Sequence, residues 1–342
     1  MIAFSTIITP DYLHFALALR ESLLKFNSGN NFYILVTGKD DILKEDTEKK
    51  YPGLVILFAE DLCKDGIGKK IYDKYFIDFK DEFRWSMKPV LLTYLIEKLN
   101  YKKVLCLDCD LFFFNTFDFL LEKLETSNVI LTPHWRSSSP YSDSTQFRVL
   151  FTHGLFNAGF IGVNNKAMEV LTWWAEVCEF ACVKNTKYGY YVDQGFLNAL
   201  PIYFDKIEII KHRGCNVAEW NMVECKRTIN NKGDILINNE FPIIFIHFAT
   251  FTIQKIIDGE DPLLRNHLNE FAQMLYKYNN QCDIIKEYEI IKEKRIEERA
   301  NYQLLLESKN KRSFLSVMSH NLKKVLLNIT PPLIVKIYTK LK

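Results

Sequence analysis

Lys103-Val-Leu-Cys-Leu-Asp108-Cys-Asp110-Leu-Phe-Phe-Phe-Asn115 carries an apolar run straight into two carboxylates spaced two residues apart. The run reads as a buried strand. Alternate strand residues share a face, so Asp108 and Asp110 are expected to converge while Cys109 turns away. Neighbouring like charges at a strand end are costly unless a cation or strong donors neutralise them. An Asp-x-Asp at the C-terminal edge of an α/β sheet is where a divalent ion gripping a diphosphate is expected. The alternative is that the pair caps a helix or turn near Thr116.

Upstream of this stretch, strands and helices alternate. Strands are expected at Ile2–Ile8, Phe32–Thr37 and Leu54–Phe58, with helical spacing over Asp11–Phe26 and Ser86–Leu99, the latter with Pro89 near its start. Such alternation argues for a mainly parallel sheet covered by helices. Downstream come strands at Val129–Leu131, Phe160–Val163 and Ile243–Ile246 and helices at Ala167–Val183 and Val192–Ala199. A polar, Ser-rich loop from Pro133 to about Gln146, holding His134, Trp135 and Tyr141, has the length of a functional or mobile segment. From Pro262 the pattern turns helical, with a long charged helix at Asp283–Ser308.

The 342 residues are 48% hydrophobic and 25% charged, ordinary for a globular chain with room for one large core or two smaller ones. No apolar run reaches the roughly 18–20 residues that span a bilayer. The start of the chain has no basic n-region, so no signal peptide is expected. The eight cysteines, without matched Cys-x-x-Cys pairs, then read as reduced thiols of a cytoplasmic protein. The net charge of +2 is segregated: residues 309–342 hold eight Lys/Arg and no Asp or Glu, leaving −6 on the rest. In that tail Phe314, Leu315, Met318, Leu322, Val325, Leu326 and Ile329 share a helical face. An amphipathic basic tail suits an anionic membrane surface on the inner face of the cytoplasmic membrane, or packing on the body or a second subunit. Nucleic acid is not an expected partner, because the basic residues cluster in a terminal appendage without a binding motif.

Four segments can act with the aspartate pair. Phe156-Asn157-Ala158-Gly159-Phe160 places an amide and small residues where a ligand can approach the backbone. In Val192-Asp193-Gln194-Gly195, Asp193 is either an N-cap or a site carboxylate. His247 emerges from the apolar Phe245-Ile246 as a core residue or a ligand. Phe83-Arg84-Trp85-Ser86-Met87-Lys88-Pro89 puts two cations at the start of a helix, a combination that suits phosphate.

These strings, in this order over residues 1–250, resemble bacterial GT-A glycosyltransferases, in particular retaining, family-8-like enzymes that build lipopolysaccharide and capsule glycans. Cys215-Asn216-Val217-Ala218-Glu219-Trp220-Asn221 resembles a segment of a polysaccharide-cluster branch of such enzymes. The resemblance implies an α/β GT-A nucleotide-diphospho-sugar transferase fold, a Rossmann-like mixed sheet flanked by helices. The catalytic domain would cover 1–260, and a helical extension with the basic tail would cover 261–342. It further implies that Asp108, Asp110 and His247 bind Mn²⁺ (or Mg²⁺). Thr6 and the Asp11-Tyr12 region would hold the nucleotide base, with Asp108 beside the nucleotide sugar. Asp193, Gln194 and Asn157 would surround the donor sugar as the catalytic group. The family usually follows its metal histidine with a glycine and then a lysine that reaches the diphosphate. Here Lys255 comes too late to map, so Lys88 or Arg84 is expected to supply that cation.

The activity implied is metal-dependent transfer of a sugar from a nucleotide diphosphate, expected to be a UDP-sugar, to a hydroxyl of a glycan or lipid-linked acceptor, with retention. The acceptor is expected to enter from the Ser-rich loop. Inversion would instead require a carboxylate base, for which Asp193 is the candidate. A nucleotidyltransferase would carry a Gly-rich loop after the first strand, which Thr6-Ile-Ile-Thr-Pro-Asp lacks. A phosphatase of the haloacid dehalogenase type would have Thr or Val where Phe112 stands. A non-catalytic glycan-binding subunit of the same fold would have no need of paired acids, and a homo-oligomer is compatible with the chain.

Overall fold

The computed structural model describes residues 1–303 apart from 28 and 39. Contacts divide the chain into one compact unit, Met1–Ile285, and a second from Lys286 onward, helical over 286–303. The basic tail and its amphipathic face lie outside the described residues. No helix among the described residues is long and apolar enough to cross a membrane.

The first unit is built on strands β1 (Ile2–Ile8), β2 (Asn31–Val36), β3 (Leu54–Phe58), β4 (Lys103–Leu107), β5 (Leu111–Phe113), β6 (Val129–Pro133) and β7 (Phe156–Asn164). A short hairpin follows, β8 (Lys184–Asn185) and β9 (Tyr190–Tyr191), then β10 (Ile207–Ile209). The series closes with β11 (Arg227–Ile229), β12 (Ile235–Ile237), β13 (Phe241–Pro242) and β14 (Phe245–His247). The central sheet has the order β10-β6-β7-β4-β1-β2-β3. Only β7 runs antiparallel to its neighbours within it.

Strands buried on both faces are near-continuous apolar runs, as β2 is from Phe32 to Val36 and β1 is save for Ser5 and Thr6. Period-two alternation then divides their side chains: Ala3 and Ile7 enter one core, Phe4 and Ile8 the other. The first core takes Phe83, Met87 and Leu91 from the helix Lys80–Glu97 and Trp174 from Met168–Ala181. The second takes Leu19 and Leu23 from Leu13–Leu24 and Leu120 and Leu124 from Asp118–Thr126.

Several boundaries differ from the sequence reading for physical reasons. The helix expected at Ser86 begins at Lys80 and holds Pro89 in its interior. An interior proline costs about 3 kcal/mol, which burial of Phe83 and Met87 on the turn before it offsets. The Ser-rich loop ends in a helix, Ser144–Leu150, because Asp143 Oδ1 accepts from the amides of Thr145 and Gln146. β7 starts at Phe156 rather than Phe160, so Asn157, Ala158 and Gly159 lie inside a central strand. The aspartate pair is not on a strand: β4 ends at Leu107, and the Leu111 amide donates to the Asp108 carbonyl across a turn.

Candidate active site

The turn after β4 and the short antiparallel pair β5–β14 assemble the centre of the site. In that pair His247 stands opposite Leu111, beside Asp110, and the Phe248 amide donates to the Asp110 carbonyl at 2.9 Å. One ligand atom from each of Asp108, Asp110 and His247 lies within 4.8 Å of the others. His247 Nε2 is 3.1 Å from Asp110 Oδ1. Its other nitrogen, Nδ1, is 3.3 Å from Asn216 Oδ1, which can only accept, so Nδ1 carries a proton; Nε2 donates to Asp110 while the ring is charged and is the nitrogen freed for an ion when that proton leaves. Asn216 is in the left-handed region, φ 61°, and is held there as Val217 bridges to β14. Burial alone would lower the His247 value, but Asp110 outweighs it and raises it. Burial likewise works to raise Asp110, and His247 reverses that.

Two carboxylates and an imidazole are a donor set that suits Mn²⁺ or Mg²⁺. Space is kept open there by Gly159, whose added Cβ would stand 2.6 Å from Asn157 Oδ1 and from His247 Cε1. The residues fit a divalent ion.

Lys88 lies behind the turn, with its side chain only 6% exposed. It is 3.1 Å from both Asp108 Oδ1 and Asp193 Oδ2 and donates to the Ala158 carbonyl at 2.9 Å. Burial would depress its pKa, but the two carboxylates reverse that and raise it, so the ammonium stays charged. Asp193 caps no helix. It follows Val192, a β-branched residue at φ 46°, and the Trp174 indole donates to its carbonyl at 3.0 Å. Burial raises its pKa against the pull of Lys88.

An amide relay borders this group. His134 Nδ1 is 3.0 Å from the Gly154 carbonyl and must donate to it, so Nε2 accepts from Asn157 Nδ2 at 3.2 Å. Asn157 Oδ1 accepts from the Gly159 amide. Gln194 Oε1 accepts from Asn157 Nδ2 and the Ala158 amide, and its Nε2 donates to the His153 carbonyl. Neither amide can flip without losing partners.

A cleft of about 580 Å³ joins Lys88, Asp108, Asp110, Asn157, Asp193, Gln194 and His247. Four other expected residues are not part of its lining. Thr6 is fully buried in β1, its hydroxyl without a hydrogen-bond partner among the described residues. Asp11 and Tyr12 are exposed just after β1. Burial raises the Tyr12 phenol, with Cys109, Asp11 and Asp110 adding to it, which puts the ring within electrostatic reach of the metal turn. Arg84 sits one turn before Lys88 and pairs with Asp81 at 2.9 Å. Lys255 is exposed and paired with Glu260.

The cleft also holds residues to which the sequence reading gave no role: Arg136, His153, Lys184, Tyr191, Glu219 and Trp220. Glu219 and Trp220 lie in the Cys215–Asn221 string, which was legible as a resemblance but not as a wall. Trp220 packs edge-on against both His134 and His247. Burial raises the Glu219 pKa, and the carboxylate accepts from Thr252 at 2.7 Å.

No family model matches the chain. It is 31% identical to the uncharacterized protein YfnD of Bacillus subtilis over 179 residues, 50% of this chain and 54% of that protein. It therefore spans about half the length of that relative. It is 25% identical to the uncharacterized protein YfnF of the same organism over 265 residues, 74% of this chain and 83% of that one. Among solved structures, it superposes on the galactosyltransferase LgtC in complex with donor and acceptor sugar analogues, with a TM-score of 0.51 and 12% identity. The match covers 80% of this chain and 95% of that one. With its seven-stranded mixed sheet between helices, the chain has the GT-A glycosyltransferase fold.

Proposed function

We propose that this protein is a metal-dependent glycosyltransferase that moves a sugar from a nucleotide diphosphate, expected to be a UDP-sugar, to a hydroxyl of a glycan or lipid-linked acceptor. The observation that carries the reading is the Asp108–Asp110–His247 trio within 4.8 Å, at the mouth of a cleft on a GT-A fold. Bound there, Mn²⁺ or Mg²⁺ would stabilise the negative charge that develops on the departing diphosphate, worth several kcal/mol. Asp108, Asp110 and His247 Nε2 would hold the ion, with Asn216 fixing the imidazole. Lys88 bridges Asp108 and Asp193 and holds the two carboxylates in place. The fixed amides of Asn157 and Gln194 would meet the donor sugar, and Asp11 and Tyr12, just after β1, would hold the base. Lys88, 3.1 Å from Asp108, or Arg84 one turn before it would supply the cation for the diphosphate.

Retention fits this arrangement. Asp193, the candidate base for inversion, is buried against Lys88, and a leaving phosphate can take the acceptor proton itself. Assembly of surface polysaccharide is the role that the sequence resemblance suggests. The tail over 309–342 would hold the protein to an anionic membrane surface.

The test is to incubate the protein with UDP-, GDP- and CDP-sugars, with and without Mn²⁺, and follow nucleoside diphosphate release. One donor class should turn over only with metal. Asp110→Ala should slow it at least about a hundredfold, the size of losing a few kcal/mol of transition-state stabilisation. Release from none of the donors, or equal release with chelator present, would contradict the proposal.

A further inference from the structure

We propose that the cleft wall formed by Arg136, Lys184 and His153 receives an acidic group, a carboxylate or phosphate, on one of the two sugars brought together in the site. This rests on the transferase reading and adds the substrate class to it.

The wall comes from three separate elements. Arg136 follows β6 and is braced by Gln146 of the helix Ser144–Leu150. His153 precedes β7, and Lys184 opens β8 with its ammonium 4.7 Å over the Trp85 ring. The His153 ring leans on Tyr191, tilted by 39° with the ring centroids 4.0 Å apart. All of them line the cleft.

Among the described residues no carboxylate lies within ion-pair distance of Arg136 or Lys184, whereas Lys88 in the same cleft pairs with two. Arg136 Nε is buried with no hydrogen-bond partner. A half-buried guanidinium without a carboxylate is costly unless a ligand brings one. His153 is held below its usual value first by burial and then by the charges of Arg136 and Lys184, so the positive charges converge on one place.

Within the cleft that place is set apart from the aspartate pair. The charges that bear on Arg136 after burial are Glu219 and Tyr191, not Asp108 or Asp110. The wall adjoins the metal trio through the Asn157–Gln194 amides, since Gln194 donates to the His153 carbonyl while Asn157 abuts Gly159, and through Glu219, whose charge bears on both Arg136 and His247. Beyond the groups that face the donor sugar, a planar guanidinium and an ammonium suit an acid on a sugar ring or on its neighbour.

Calorimetry on the full chain separates the two sources. With UDP and Mn²⁺ already bound, the protein is titrated with methyl glucuronide, glucose 6-phosphate and neutral methyl glucoside. In parallel, the metal-loaded protein is titrated with UDP-glucuronate and UDP-glucose. The acidic member should bind at least about tenfold tighter than its neutral counterpart in one arm, and that arm tells whether acceptor or transferred sugar carries the acid. Arg136→Gln and the exposed Lys184→Gln should each shrink that ratio towards one. A ratio near one in both arms, or no sugar binding beside bound UDP and no preference between donors, overturns the inference and leaves the transferase reading intact. Variants that weaken UDP itself as much as the acids also overturn it, by giving the wall to the diphosphate. Failure of UDP to bind with Mn²⁺ in the first titration removes the transferase reading and this inference with it.

Discussion

Gly159 has no room for a side chain, and that single constraint ties the strand to the chemistry. A Cβ there would press on Asn157, His247 and Asp108 together. Gly159→Ala should therefore lower Mn²⁺-dependent UDP affinity by about tenfold to a hundredfold, the usual result of disturbing the groups that orient metal ligands. Overpacking should lower stability by about 1–3 kcal/mol. Unchanged affinity in calorimetry would show that the trio does not hold the ion. His134 makes a second residue-scale prediction. Burial first, then Arg136, pushes its pKa well below the ordinary 6.5. The unfolded chain then takes up a proton near that pH that the folded protein refuses. Stability from this group is full above about pH 6.5 and falls as pH drops below it, by up to about 1.4 kcal/mol per pH unit. Urea unfolding at several pH values should show a shallower acid decline for His134→Gln than for the natural chain, and identical slopes would refute it. The same protonation would oppose the hydrogen bond that Asn157 Nδ2 donates to His134.

At the scale of elements, the segment carrying Asn216, Glu219 and Trp220 has little regular structure of its own, and a buried ion pair holds it. Arg227, at the start of β11, bonds the Ala218 and Cys225 carbonyls and the Asn221 side chain, and pairs with Asp261 at 2.9 Å. Both side chains are at most 5% exposed. Asp261→Asn would leave that guanidinium uncompensated and should cost about 3–5 kcal/mol, read as a lowered thermal midpoint. A midpoint within a degree of the natural chain would contradict it. This part of the site was the least legible in the sequence. The aspartate pair, β1 to β4 and His247 announce themselves through local pattern, because apolar strands and their polar ends are neighbours in the chain. The Arg136–Lys184–His153 wall and the Asn216 brace come from segments far apart in sequence, joined by non-local pairing that no window of residues contains. Even the converging carboxylates were read on the wrong backbone: they meet through a turn, not through strand alternation.

For the whole molecule, charge is divided between a body at −6 and a basic terminus. The full chain should sediment with vesicles that contain anionic lipid and not with neutral ones, and release as salt shortens the Debye length below about 8 Å. Equal binding to neutral vesicles would contradict this. The fold gathers its site at the C-terminal ends of β1 and β4, where sheets of this kind bind nucleotides, and the two carboxylates and imidazole found there suit a divalent ion such as Mn²⁺. This ion and a nucleoside diphosphate should therefore bind together. Calorimetric titration of UDP into the full chain with Mn²⁺, with chelator, and into Asp110→Ala tests it most directly. Binding should need Mn²⁺ and be lost in the variant. UDP affinity that is the same in all three, or absent in all three, would contradict it.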